Sequence, residues 1–200
     1  MSASAKILVA SANRGKLREF QAILADARFE FFLPADLGLA LEVKESGSTY
    51  AENAALKARA YCAASGLICV ADDSGLEVDA LGGQPGLYSA RYSPKPGATD
   101  ADRRAYLLEN LLTRPRPWTA RFHCSLAIAT PDGRIFYADG DCPGEIIPTE
   151  RGMNGFGYDP IFYLADRGLS MAELADEEKN RISHRGRAVR AALPVLESLL

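Results

Sequence analysis

Two short apolar runs, Lys6-Ile-Leu-Val-Ala-Ser11 and Leu67-Ile-Cys-Val-Ala71, bracket segments of helical periodicity, and this alternation limits the fold more than any other feature of the chain. Runs of that length and composition read as buried strands. A strand, a helix and a further strand in succession build an α/β core with partly parallel strands. After the first run, Leu17, Phe20, Ile23 and Leu24 recur at spacings of three and four, the period of an amphipathic helix. Before the second run, Thr49-Tyr-Ala-Glu52 has the form of a capping box and Gly66 that of a C-cap. A helix is therefore predicted from Thr49 to Gly66.

The rest of the chain adds smaller elements. Phe29–Leu33 reads as a strand, Pro34–Gly47 as a long loop and Asp72-Asp73-Ser74-Gly75 as a polar turn ending the Leu67–Ala71 strand. Thr99-Asp-Ala-Asp102 opens a helix. Phe122–Ala129 and Arg134–Ala138 flank Pro131-Asp132-Gly133 as a hairpin, and Pro160–Leu164 is a short strand. Ser170-Met-Ala-Glu173 is another capping box. A C-terminal helix is predicted from near Ser183, kinked or broken early at Pro194.

Composition narrows the class. With 200 residues, the chain is long enough for one sizeable core, and residues 1–200 read as a single domain. Hydrophobic residues at 48% and charged residues at 24% describe a folded globular chain rather than a disordered one. No apolar run reaches the ~18 residues of a membrane-spanning helix, so no membrane association is expected. Met1–Lys6 lacks the basic start and apolar stretch of a secretory signal. The net charge of −3, without a basic stripe interleaved with aromatics, argues against nucleic acid as a partner. Cys62, Cys69, Cys124 and Cys142 form no C-x-x-C pair and are expected to be buried thiols in a reducing cytosol.

Four polar clusters interrupt this framework. Ser11-Ala-Asn-Arg-Gly-Lys16 joins a strand to a helix, where backbone N–H groups and a lysine attract anions, unless it is only a solvated loop. Asp72 and Asp73 follow a strand, where adjacent carboxylates hold Mg²⁺ or supply a general base, or else cap a turn. Asn154-Gly-Phe-Gly-Tyr-Asp-Pro160 places glycines around Phe156, open to a flat ligand or simply forming a tight turn. Lys179-Asn-Arg-Ile-Ser-His-Arg-Gly186 gathers donors at a helix start, for phosphate, for base edges or for solvent alone.

In this order, Ala71-Asp-Asp-Ser-Gly-Leu76, Leu81-Gly-Gly-Gln-Pro-Gly86 with Tyr88-Ser-Ala-Arg91, Gly155-Phe-Gly-Tyr-Asp-Pro160, and Glu178-Lys179 with Ser183-His-Arg-Gly186 resemble the noncanonical purine nucleoside triphosphate pyrophosphatases. This is the inosine/xanthosine triphosphatase, or Ham1-like, family, and the bacterial members match best. The resemblance runs from Ile7 to about Arg190. It implies an elongated, two-lobed α/β fold with a central mixed, twisted sheet, flanking helices and a cleft. It further implies Mg²⁺-dependent hydrolysis of ITP, dITP and XTP to the monophosphate and pyrophosphate, by a cytoplasmic homodimer that cleans the nucleotide pool.

The resemblance also implies roles. Asp73 is the proton acceptor that activates water, and the metal ligands are Asp73, Glu45 and Asp72. Ser11, Ala12, Asn13, Arg14, Gly15 and Lys16 hold the triphosphate, with Lys57 and Ser74 as further substrate contacts. Ala12 stands where the family usually has glycine. Phe156, Gly157, Tyr158 and Asp159 border the nucleoside, with Phe156 stacked on the base, and Lys179, His184 and Arg185 face the base. A donor-rich pocket suits a 6-oxo purine and leaves groups unpaired against the 6-amino group of adenine. The rivals are a hydrolase for a modified pyrimidine triphosphate, a nucleotide sensor without turnover and a nucleic-acid-binding domain.

Overall fold

The structure is a computed structural model that describes residues 5–25 and 28–199. Among the described residues, seven strands form one mixed sheet in the order β2-β1-β3-β4-β5-β6-β7. They are β1 (Ala5–Val9), β2 (Phe29–Phe32), β3 (Ile68–Val78), β4 (Trp118–Ala129), β5 (Ile135–Ile146), β6 (Phe162–Leu164) and β7 (Leu169–Ser170). The helices are α1 (Arg14–Ile23), α2 (Tyr50–Ser65), α3 (Asp100–Leu111), α4 (Asp176–Ile182) and α5 (His184–Ser198). β1 runs parallel to both β2 and β3, whereas β6 is antiparallel to β5 and β7. The α/β class with partly parallel strands is thus as expected. Among the described residues no helix is long and apolar enough to cross a membrane.

The chain packs as two compact units. One draws on the chain up to Asp73, Cys124–Gly140 and the chain from His184 onward; the other comprises Ser74–His123 and Asp141–Ser183. In the first unit, alternate strand residues point to opposite faces of the sheet. Ile7, Val9, Val70, Leu126 and Ile128 pack with Phe20 of α1 and Val189 and Ala192 of α5. Leu8, Ala10, Cys69, Ala71, Ala127 and Ala129 pack with Ala54, Ala58 and Cys62 of α2. The first face is built from larger side chains, and truncating a fully buried one such as Phe20 to alanine costs about 3–5 kcal/mol. The second is lined mainly by alanine, which lets α2 lie close to the strands. The other unit has its own core, in which Leu107 and Leu111 of α3 join Leu76, Val78 and Trp118, and Phe122 meets Phe162 at 4.4 Å between ring centroids.

Local signals account for several helix ends. The Thr49 hydroxyl caps α2 by accepting from the Glu52 N–H, and Gly66 closes it. Thr99 and Asp102 form the expected reciprocal cap at α3. The expected hairpin closes through Thr130 N–H to the Arg134 carbonyl at 3.1 Å. All four cysteines are buried free thiols, and burial pushes those of Cys69 and Cys124 up.

The expected Ser170 box is present, over the 3₁₀ turn Met171–Glu173, and the next helix begins at Asp176. Two expectations are corrected. α5 continues through Pro194 to Ser198 without an early break; Pro194 sits on the exposed side. Finally, Asp72–Gly75 is no turn: β3 runs straight through it to Val78.

Candidate active site

Because β3 is unbroken at Asp72 and Asp73, their carboxylates leave the strand on opposite faces. Asp72 shares the face of Val70, under α1 and α5. There Lys16 Nζ lies 2.8 Å from its Oδ1 and Arg185 Nε lies 3.0 Å from its Oδ2. Arg185 Nη1 also holds Glu19 at 2.8 Å. Lys16 and Glu19 are one turn apart on α1, and the four side chains form a chain of ion pairs, Lys16–Asp72–Arg185–Glu19, that links α1, β3 and α5. Asp72 and Arg185 are each 3% exposed. Burial alone would raise the Asp72 pKa, but the charges of Lys16 and Arg185 override it and hold the carboxyl well below the usual range.

Asp73 shares the face of Ala71, under α2. Asn53 Nδ2 donates to its Oδ2 at 3.1 Å, and Lys57 Nζ lies 3.6 Å from its Oδ1. Asn53 and Lys57 are four residues apart and therefore project from one side of α2. Lys57 Nζ also meets Glu45 Oε1 at 2.6 Å, so two carboxylates converge on one cation. Here burial wins. It raises the Asp73 pKa despite Lys57 and Asn53, and the nearby charges of Glu45 and Asp72 add to the rise. Lys57 moves upward too: burial opposes its charge, but Asp73 and Glu45 more than compensate. Adjacent residues in one strand thus carry opposite shifts, and groups separated in this way are suited to separate tasks in one site.

The Ser11–Lys16 loop is knitted by its own side chains. Ser11 Oγ accepts from the Asn13 N–H at 3.0 Å, and Asn13 Oδ1 accepts from the Gly15 N–H at 2.7 Å, which makes Asn13 the N-cap of α1. Ala12 and Arg14 are exposed. They border a cavity of about 420 Å³ that is walled by Leu33, Pro34, Leu39 and Tyr61.

In the other unit, Asp159 is buried and its Oδ2 accepts from Lys179 Nζ at 2.7 Å and from the Phe156 N–H at 2.9 Å. Lys179 Nζ stands 4.9 Å from the centroid of the Phe156 ring, a cation–π contact, while that residue is 48% exposed. Gly155 sits at φ +76°; a Cβ there would collide with Asp159 and come within 2.9 Å of Lys179 Nζ. The Tyr158 hydroxyl donates to the Ser89 carbonyl at 2.8 Å, which makes Tyr158 part of the packing. From α3, Asp100 accepts the Gly157 N–H and Arg104 donates to the Gly157 carbonyl, both at 2.8 Å.

Set against the expectations, the structure gathers Glu45, Lys57 and Asp73 in one place and Phe156, Asp159 and Lys179 in another. Ser74 is half-buried in β3 and His184 is buried at the start of α5. Two residues depart from their expected roles. Asp72 is not brought together with Glu45 and Asp73: its oxygens meet Lys16 and Arg185 on the other face of β3. Arg185 is no open base-facing donor, because it is buried against Asp72 and Glu19. Sequence reasoning gave no role to Glu19, Gly47, Asp100 or Arg104. Only Glu19 carried a signal, its spacing of three from Lys16 on one helix.

Among the described residues no cluster of three or more His, Cys, Asp or Glu is arranged to hold a metal. Glu45 and Asp73 nevertheless fit Mg²⁺, which takes one or two carboxylates and completes its shell with water and substrate phosphates. Lys57 Nζ marks the point where both direct their charge.

Comparison with known proteins agrees with these features. Residues 7–195 match the model of the Ham1 family. A dITP/XTP pyrophosphatase of Nostoc sp. is 48% identical over 196 residues, 97% of this chain and 95% of that protein. A dITP/XTP pyrophosphatase of Thermus thermophilus is 47% identical over 189 residues, 94% and 90% of the two chains. Among solved structures, a HAM1 protein from Coxiella burnetii superposes with a TM-score of 0.89 at 41% identity, covering 97% of this chain and 99% of that one. The Staphylococcus aureus Ham1 protein gives 0.86 at 39%, covering 98% and 100%. With nearly its whole length matched and an α/β sheet of the same form, the chain belongs to the Ham1 family.

Proposed function

We propose that this protein hydrolyses noncanonical purine nucleoside triphosphates, namely ITP, dITP and XTP, to the monophosphate and pyrophosphate, and so removes them from the nucleotide pool. The observation that carries this reading is the Asp73 carboxylate. Burial raises its pKa, and it accepts a hydrogen bond from Asn53 and faces Lys57 and Glu45. Membership of the Ham1 family and the names of the relatives supply the substrate class.

Each residue has a physical task. A triphosphate brings about four negative charges, and a nucleophile reaches its phosphorus only where cations offset them. Lys57 and the amide-rich start of α1 supply positive potential. Asp73 accepts the proton of the attacking water. Glu45 and Asp73 would hold Mg²⁺, which when bound offsets phosphate charge and helps acidify a water. Asp72 stays ionised between Lys16 and Arg185 and keeps α1 and α5 in place. In the other unit, the half-exposed Phe156 ring is the proposed stacking surface for a purine, with Lys179 behind it held by Asp159. The same reading makes the protein a cytoplasmic homodimer, which light scattering at working concentration checks for the dimer.

The test is incubation of the purified protein with Mg²⁺ and, separately, ITP, dITP, XTP, GTP, ATP and dUTP, with identification of the products. Monophosphate plus pyrophosphate from ITP, dITP and XTP alone is the expected result. Release of single phosphate moves the reaction to another bond, and binding without turnover makes the protein a nucleotide sensor.

A further inference from the structure

We infer that Asn53 is a positioning residue for Asp73, and that through Gly47 it fixes the distance between Asp73 and the loop that carries Glu45. Asn53 is 2% exposed and uses both ends of its carboxamide. Nδ2 donates to Asp73 Oδ2 at 3.1 Å, while Oδ1 accepts from the Gly47 N–H at 2.8 Å. The orientation of the amide is unambiguous, because an N–H can only donate and an ionised carboxylate can only accept.

The loop has little freedom to settle elsewhere. A Cβ on Gly47 would lie 2.6 Å from Glu52 Cβ, 2.8 Å from Asn53 Oδ1 and 3.0 Å from Asn53 N, so only glycine lets the loop approach α2 this closely. One residue on, Glu52 Oε2 accepts from the Ser48 N–H at 2.6 Å and from the Ser48 hydroxyl at 2.8 Å. Two residues before Gly47, Glu45 reaches Lys57, one turn beyond Asn53 on α2. The first two turns of α2 therefore form a platform. Asn53 sets the Asp73 carboxylate, its bond to Gly47 sets the loop, and the loop delivers Glu45.

This inference rests on the reading of Asp73 as the carboxylate that activates water, and the test separates the two. Wild type, Asn53→Asp and Gly47→Ala are compared in steady-state hydrolysis of dITP with Mg²⁺, with melting temperature and folded fraction measured on the same preparations. Asn53→Asp keeps an oxygen for the Gly47 N–H but has no donor for Asp73. Its kcat per folded molecule is expected to fall about 10- to 100-fold, while KM for dITP stays within about threefold. Gly47→Ala leaves both side chains intact and displaces the loop, and its kcat is expected to fall comparably. A purely structural role would lower the melting temperature and leave kcat per folded molecule alone; that result overturns the inference. If Asn53→Asp does not fold, Asn53→Ala takes its place under the same criteria.

A readout independent of turnover is Mn²⁺ titration of the metal-free protein, followed by the paramagnetic resonance of the free ion. Gly47→Ala is expected to bind Mn²⁺ about tenfold or more weakly than wild type. Wild-type Mn²⁺ affinity in that variant overturns the link between the loop and Glu45. Absence of dITP hydrolysis by the wild type counts against the proposed function, and the Mn²⁺ comparison still decides the inference.

Discussion

Asp72 and Asp73 are consecutive residues of β3 whose carboxylates lie on opposite faces of the sheet, one held by Lys16 and Arg185, the other facing Asn53 and Lys57. The difference in company separates their ionisation. The first remains charged in all ordinary conditions, and the second gives up its proton less readily than a free carboxyl.

The two acids should answer substitution in opposite ways. Asp72→Asn leaves Lys16 and Arg185 short of a charge partner in a buried place, and loss of one member of such a pair costs about 3–5 kcal/mol. Asp73→Asn removes a buried carboxylate crowded by Glu45, so near neutral pH its stability should equal or slightly exceed that of the wild type. The signs follow from linkage. A depressed folded pKa stabilises above the unfolded value and loses that contribution as pH falls through the folded one. A raised folded pKa stabilises at low pH and loses its contribution as pH rises through the folded value. Thermal melts of both variants across pH check this, and equal destabilisation would contradict it.

Catalysis should show the same acid. If Asp73 takes the proton from water, it works only when ionised, so kcat/KM should rise with pH as Asp73 ionises. Asp73→Asn should abolish turnover while leaving nucleotide binding measurable by calorimetry. Absence of a rising limb, or full activity in that variant, would assign the base elsewhere.

Gly155→Ala is predicted to disturb the Phe156 turn. The new methyl would collide with Asp159 in a backbone conformation that L-residues rarely adopt, and would press on Lys179. The expected outcome is a rise in KM for dITP with a smaller change in kcat, read from steady-state kinetics. An unaltered KM would separate this turn from substrate binding.

Phe156→Ala removes a half-exposed ring and should leave the melting temperature nearly unchanged. Stacking of a base on an aromatic ring is worth about 1–3 kcal/mol, so KM should rise by about one to two orders of magnitude. Phe156→Tyr should retain most of the affinity. If alanine binds dITP as well as phenylalanine does, the base rests on another surface.

Much of this was legible in the sequence because it was local. Thr49, Glu52 and Gly66 set the ends of α2, and Thr99 with Asp102 starts α3, through bonds that span three or four residues. Asp72–Gly75 misled because its composition is that of a turn. What keeps it in a strand is the neutralisation of Asp72 by Lys16 and Arg185, 56 and 113 residues away, which no local pattern records. The same distance hid the use of Arg185: its position at a helix start suggested an open donor, whereas packing of α5 buries it. Glu45, Lys57 and Asp73 were named together by resemblance and lie together in the structure, but their separation from Asp72 became visible only with the faces of the sheet.

α5 supplies Ala188, Val189, Ala192 and Leu196 to the core beside Phe20, and Arg185 to Asp72. In chain order these residues follow β1, β3 and β4, so synthesis reaches them after the strands they cover. Until it does, that face of the first unit's strands is left to α1, and Asp72 lacks its most buried counter-ion. A chain cut before His184 keeps Asn53, Lys57 and Asp73 in its sequence, yet lacks the helix that seals the opposite side of the strand they depend on. Competence is therefore acquired only once α5 has followed the strands, and copies cut before it are left marked by exposed apolar surface rather than by a missing catalytic group.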